Sequence, residues 1–241
     1  MPPIYAVGDI HGQRAELDRV LDLIIADGGG KVVFLGDYVD RGPDSQGVIQ
    51  RLIDGCADGE DWVCLKGNHD RLMDWFLEVP PRHDPHLLIG FHWMHARIGG
   101  AETLASYGVD VPDHIRMKDL SARALDAVPQ AHLDFLRGLP LTFETDDLFF
   151  CHAGIAPGAP LDAQDEEDLV WIRQPFHVFT EPHPKLIVHG HTPVERVTHY
   201  GNRVNLDAGA GYDRPLTCAV FEEGQVFELT DSGRVPLVPV G

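Results

Sequence analysis

The chain is 241 residues long, 44% hydrophobic and 24% charged, ordinary values for a soluble globular protein and within the size of one α/β domain. Its 38 acidic and 19 basic residues give a formal net charge of −19, which argues against general nucleic-acid or anionic-membrane binding, because counterion release needs clustered Lys and Arg. No apolar run is long enough to span a bilayer, and MPPIYAVGD lacks the features of a signal peptide. The four cysteines form no CxxC pair, which fits a reducing cytoplasm better than a disulfide framework or a thiolate zinc site.

In chain order, Ile4 to Gly8 is a short apolar run with strand character. A helix over 13–27 puts Leu17, Val20, Leu21 and Ile24 on one face and ends at three glycines. Lys31 to Gly36 predicts the next strand, Asp44 to Ile53 a helix, and Trp62 to Lys66 a third strand. Strands alternating with helices imply βαβ units and a mainly parallel sheet, with functional residues at the carboxyl ends of the strands. From about 71 to 140 the pattern turns helical and less regular, with EVPPRHDPH as a break and helices expected over 101–107 and 119–137. This region reads as a helical cap insertion in a single domain spanning 1–241. Strand character returns over 141–151, around Lys185 to Val188, and over 196–230. In the last stretch HYGNR and EEGQ read as hairpin turns of a second, partly antiparallel sheet.

Five of these apolar runs end in polar side chains. KVVFLGDYVDRG ends in Asp37, Asp40 and Arg41, and AVGDIHG in Asp9 and His11. LKGNHD supplies Asn68, His69 and Asp70, FFCHAG supplies His152, and LIVHGHT supplies His189 and His191. A buried strand has no reason to end on charges unless something there neutralises and uses them. Oxygen and imidazole donors without thiolate suit manganese, iron or zinc, and argue against a structural zinc site or a calcium cage. A carboxylate such as Asp37 can bridge two cations, and a pair roughly 3.5–4 Å apart clamps both oxygens of a phosphoryl displacement. His189 and His191 lie two apart, so spacing alone leaves both open as ligands. His92 and His95 read as incidental histidines on an amphipathic cap helix. Trp75, Phe91 and Trp93 could stack on a base or belong to the core, and Asp207 and Tyr212 stay undecided. GGGK lacks the spacing and hydroxyl of a phosphate loop.

GDIHG, GDYVDRG, GNHD, HAG and HGHT, in that order between residues 8 and 192, resemble the calcineurin-like metallophosphoesterases. GDYVDRG in particular resembles the phosphoprotein phosphatase branch, which holds serine/threonine phosphatases and symmetrical diadenosine tetraphosphate hydrolases. The resemblance implies an α/β fold of two packed mixed β-sheets flanked by helices, an αββα sandwich. It implies two divalent metal ions, with Mn2+ expected and Fe or Zn as alternatives. Asp9, His11 and Asp37 would hold the first; Asp37, Asn68, His152 and His191 would hold the second, which selects His191 over His189. His69 would be the general acid, oriented by Asp40, with Arg41 gripping the phosphoryl oxygens and Arg173 in LVWIRQPF as a second clamp. Two departures stand out: Asp70 where the family usually has Glu, and Pro193 where the wider superfamily often has a second histidine.

The implied reaction is direct attack of a metal-activated hydroxide on phosphorus. No cysteine has an arginine six positions on and no Asp-x-Asp pair exists, so covalent routes find little support. The expected substrate is a phosphomonoester, phosphoserine or phosphothreonine in a protein before a small phosphoester, with no nucleic-acid or membrane partner. A symmetrical diadenosine polyphosphate hydrolase is the alternative, and a non-catalytic phospho-ligand binding module the reading from another class.

Overall fold

The computed structural model describes residues 2–240. Its first strands and helices are β1 (Ile4–Val7), α1 (Arg14–Ala26), β2 (Lys31–Phe34), α2 (Ser45–Ala57) and β3 (Trp62–Cys64). β1 and β2 pair in parallel, Ile4 opposite Lys31, and β2 and β3 pair in parallel, Val32 opposite Trp62. The expected βαβ units are therefore present. Asp44 starts α2 by accepting the Gly47 N–H at 2.8 Å, the usual role of an aspartate before a helix.

Four helices, α3 (Asn68–Phe76), α4 (Gly100–Ser106), α5 (Met117–Ala127) and α6 (Gln130–Gly138), separate β3 from β4 (Thr142–Glu144). The helix expected over 119–137 is broken between α5 and α6. Pro129 lacks an N–H and pushes Val128 into an extended conformation. The cap helix expected around His92 and His95 is also absent. Residues 91–99 form successive turns, closed by His95 N–H to His92 O at 2.8 Å and Ile98 N–H to His95 O at 2.7 Å.

The remaining elements are β5 (Leu148–Cys151), α7 (Glu166–Trp171), β6 (Leu186–His189), β7 (Thr198–His199), β8 (Arg203–Asn205), β9 (Cys218–Glu222), β10 (Gln225–Thr230) and β11 (Gly233–Pro236). HYGNR and EEGQ do carry hairpins, β7 with β8 and β9 with β10. Residues 196–230 nevertheless do not build one sheet. The first sheet runs β11-β10-β9-β1-β2-β3, and the second β4-β5-β6-β8-β7. β9 docks antiparallel on β1 because alternate residues of β9 fit both faces of that already buried strand.

Strand alternation explains the layers. Ile4 and Ala6 of β1 face inward, meeting Val33, Phe150, Val188, Val204, Ala219 and Phe221 between the two sheets. Tyr5 and Val7 face outward and pack with Leu17, Val20, Ile49 and Leu52 of α1 and α2. On the far side Phe149, Cys151 and Ile187 pack with Leu169 of α7. The result is the expected sandwich of two mixed sheets between helices. Among the described residues, no helix is long and apolar enough to cross a membrane.

Candidate metal centre

β1, β2 and β3 run parallel in one sheet, and β5, β6 and β8 run parallel in the other. Their carboxyl ends carry Asp9 and His11, Asp37, Asn68 and His69, His152, His191 and Asp207, and the loops converge. His11, Asp37, Asp40, Arg41 and His191 all have φ between 48° and 75°, the left-handed region that non-glycine residues seldom adopt. Such strain persists only where surrounding structure fixes it, and it clusters at functional sites. Two glycines allow the approach. A side chain at Gly67 would run into the Asp37 carboxylate, and one at Gly190 into the Asp9 carboxylate.

Asp37 stands in the middle. Its Oδ2 lies 3.6 Å from His11 Nε2 and its Oδ1 lies 3.5 Å from His152 Nε2, so each oxygen faces a different histidine. Asn68 Oδ1 lies 2.9 Å from His152 Nε2 and 2.8 Å from His191 Nδ1. Two sets of donor atoms thus lie close enough to hold a cation: His11, Asp37 and His69, and Asp37, His152 and His191. Asp9 belongs to neither set; both its oxygens accept the His191 backbone N–H, at 3.2 and 3.1 Å.

The electrostatics fit cations. Burial pushes the Asp9 carboxyl well up, helped by Asp207 and Asp37, and pushes Asp207 up to about 6. For Asp37 burial acts the same way, but His152, His69, His11 and His191 outweigh it and hold the carboxyl far below its usual range. Burial at the same time disfavours the charged form of His11, His152 and His191, so with these rings neutral, the form that ligates, the positive charge that keeps Asp37 ionised would have to come from bound cations. Carboxylates packed this closely repel one another unless positive charge lies among them. His191 Nε2 and Arg41 Nε are buried without a partner among the described residues. The donor set therefore suits a pair of divalent cations.

His69 stands at the outer edge of the first donor set. Its Nδ1 is 2.6 Å from Asp40 Oδ2, its ring centroid is 4.7 Å from that of His11, and its Nε2 is 3.1 Å from Arg41 Nη2. Arg41 is also 2.6 Å from His11 Nε2 through Nη1 and lies 4.8 Å from the exposed ring of Tyr212. Arg173 is exposed just after α7. It joins no hydrogen bond to the cluster, although its charge bears on His152 and His191.

His189 turns away. Its Nδ1–H donates to Gly190 O at 3.1 Å and its Nε2 accepts from Arg203 at 3.1 Å. His92 and His95 are outside both donor sets, with His95 stacked on Phe91 at 3.7 Å. Asp207 is outside both donor sets but close enough that its charge bears on Asp9. Its signal, VNLD after β8, repeats the pattern of the other five strand ends. Asp70 has a supporting position, accepting the backbone N–H of Gly67, Asp37 and Tyr38 at 2.9, 2.8 and 2.9 Å.

A family model described as calcineurin-like phosphoesterase matches residues 2–217. A symmetrical bis(5'-nucleosyl)-tetraphosphatase of Paracidovorax citrulli is 32% identical over 167 residues, 66% of this chain but 47% of that protein. The chain therefore spans about half the length of that relative. An asymmetrical bis(5'-nucleosyl)-tetraphosphatase of Anoxybacillus flavithermus is 25% identical over 90% of this chain and 89% of its own length. Among solved structures, a candidate diadenosine tetraphosphatase superposes with a TM-score of 0.66 at 22% identity, over 98% of this chain and 94% of its own, a likeness of fold.

Proposed function

This chain belongs to the calcineurin-like phosphoesterase family, and from that premise we propose that it hydrolyses phosphomonoesters with two divalent cations, manganese before iron or zinc. The observation that carries the reading is the placement of Asp37, one oxygen toward His11 and the other toward His152. Asp9, His11 and Asp37 would hold one cation, and Asp37, Asn68, His152 and His191 the other. Such a pair supplies Lewis acidity toward the phosphoryl oxygens and lowers the pKa of water.

The remaining residues divide the work. Arg41 grips the phosphoryl oxygens through a planar fork matched to phosphate, and Arg173 closes on them from the α7 side. His69 would pass a proton from Nε2 to the leaving oxygen once Arg41 Nη2, now 3.1 Å from that atom, turns to the phosphoryl oxygens, while Asp40 fixes the ring through Nδ1. Phosphoryl transfer needs positioning and charge stabilisation more than covalent chemistry, and these groups provide both.

The three cap aromatics suited to a base are engaged elsewhere, which supports a phosphoserine- or phosphothreonine-type substrate. Trp75 covers Arg71 and Arg82, Phe91 stacks on His95, and Trp93 is buried. A dinucleoside polyphosphate is the second reading, favoured by the exposed ring of Tyr212 beside Arg41. A non-catalytic phospho-ligand module is disfavoured, since the donor sets and the His69–Asp40 pair are intact.

The test is a paired assay on a phosphopeptide and on diadenosine tetraphosphate, with p-nitrophenyl phosphate as a generic ester, before and after chelation. Hydrolysis that disappears with chelator and returns with Mn2+ is expected, with the phosphopeptide preferred. Protein inert on all three in both states would overturn the proposal.

A further inference from the structure

Asp40 is fully buried and accepts three side-chain hydrogen bonds. His69 lies at 2.6 Å on Oδ2. Trp93 Nε1–H lies 3.0 Å from both oxygens, and the Thr103 hydroxyl donates to Oδ1 at 2.8 Å. The last two donors come from the segment between β3 and β4, more than fifty residues along the chain from Asp40. The same segment braces the backbone of the turn. Thr103 Oγ1 accepts the Asp40 N–H at 2.8 Å, and Gly99 O accepts the Arg41 N–H at 3.3 Å. Asp40 and Arg41 sit at φ 75° and 68°, so this turn needs bracing to persist.

We infer that Trp93 and Thr103 are positioning residues for proton donation, acting on His69 through Asp40. The inference rests on His69 being the general acid. A carboxylate with two further donors is held in one orientation, and the His69 ring with it, so that Nε2 keeps a fixed direction for the proton it passes to the leaving group. Ser45 Oγ, 3.0 Å from Thr103 Oγ1, completes the set, because the single Thr103 proton is already committed to Asp40. A plain packing role for Trp93 would need only its ring, which lies 4.8 Å from Phe76. The indole N–H aimed at the acid's partner is what the packing role leaves out.

The test compares Trp93→Phe and Thr103→Val with the unaltered protein on phenyl phosphate and p-nitrophenyl phosphate. Phenolate needs protonation far more than p-nitrophenolate does. Both variants should lower kcat on phenyl phosphate about 10-fold or more and on p-nitrophenyl phosphate much less, with KM and bound metal unchanged. Equal falls on both esters, falls that track lost metal, or no fall would overturn the inference. His69→Asn run in parallel separates the two readings. If it shows the leaving-group dependence and Trp93→Phe does not, only the inference fails; if it does not show it, the assignment of His69 fails. Independently of turnover, the downfield His69 Nδ1 proton resonance should move in Trp93→Phe, and an unmoved resonance would overturn the inference even in a variant of low activity.

Discussion

The Asp70 carboxylate accepts the backbone N–H of Asp37 at 2.8 Å, joining the end of β3 to the end of β2. Asp70 also takes the Tyr38 and Gly67 N–H groups, so one buried side chain sets the spacing between the loop that carries Asp37 and the start of α3, where Asn68 and His69 lie. The shorter carboxylate fits because Gly67 lets the two loops approach closely. Asp70→Asn swaps an acceptor for a donor facing N–H groups, and a buried N–H left without its acceptor costs about 1–3 kcal/mol. Thermal unfolding should show that loss, and metal titration should show weaker binding. A variant equal to the unaltered protein in both would remove Asp70 from this role.

Arg71 and Asp84 form a buried ion pair at 2.8 Å, joined by Glu167 at 2.9 Å and by the Trp171 indole N–H at 3.1 Å. The pair ties the segment after α3 to α7, and through it to Arg173. Removing Asp84 leaves Glu167 facing the guanidinium but strips Arg71 Nε and the Trp171 indole N–H of their buried acceptor, which costs about 1–3 kcal/mol for each. Asp84→Ala should therefore lower the unfolding midpoint in urea by a large step. It should also raise KM for a phosphoester more than it lowers kcat, because Arg173 loses its support. A small shift in the midpoint, with KM unchanged, would contradict this.

His177 packs against Phe176, near His189 and Arg203, and its Nε2 is buried without a partner among the described residues. Burial, helped by Arg203 and Arg173, pushes its pKa down to about 4. A folded-state value below the unfolded one contributes stability that is present above about pH 6.5 and lost as pH falls through about 4. His183 and His189 are lowered by burial as well, and act with the same sign. Unfolding midpoints measured between pH 7 and pH 4 should fall with acid, and fall less steeply in His177→Gln. An equal slope in the two proteins would rule His177 out as a contributor.

Much of this architecture was legible in the residues. Apolar runs ending in Asp9, Asp37, Asn68, His152 and His191 identified the strand ends, because alternation and turn glycines leave local marks. What was not legible depended on partners far along the chain. β9 joins the first sheet because β1 offers it a free edge, a choice that a hairpin signal at EEGQ cannot express. Pro129 was visible, but the amphipathic pattern on either side masked the break it makes. Trp93 read as core or base platform because nothing local shows that its N–H reaches Asp40, and Asp207 lacked both the histidine and the cluster of charges that marked the other strand ends.

If Asp37 bridges two cations, metal analysis of the chelated and Mn2+-restored protein, beside the same measurement on Asp37→Asn, will show it. Two equivalents per restored chain are expected, fewer than two in the variant, with activity that follows the metal. A restored protein that binds no manganese, or a variant that keeps both equivalents, would mean that Asp37 is not shared.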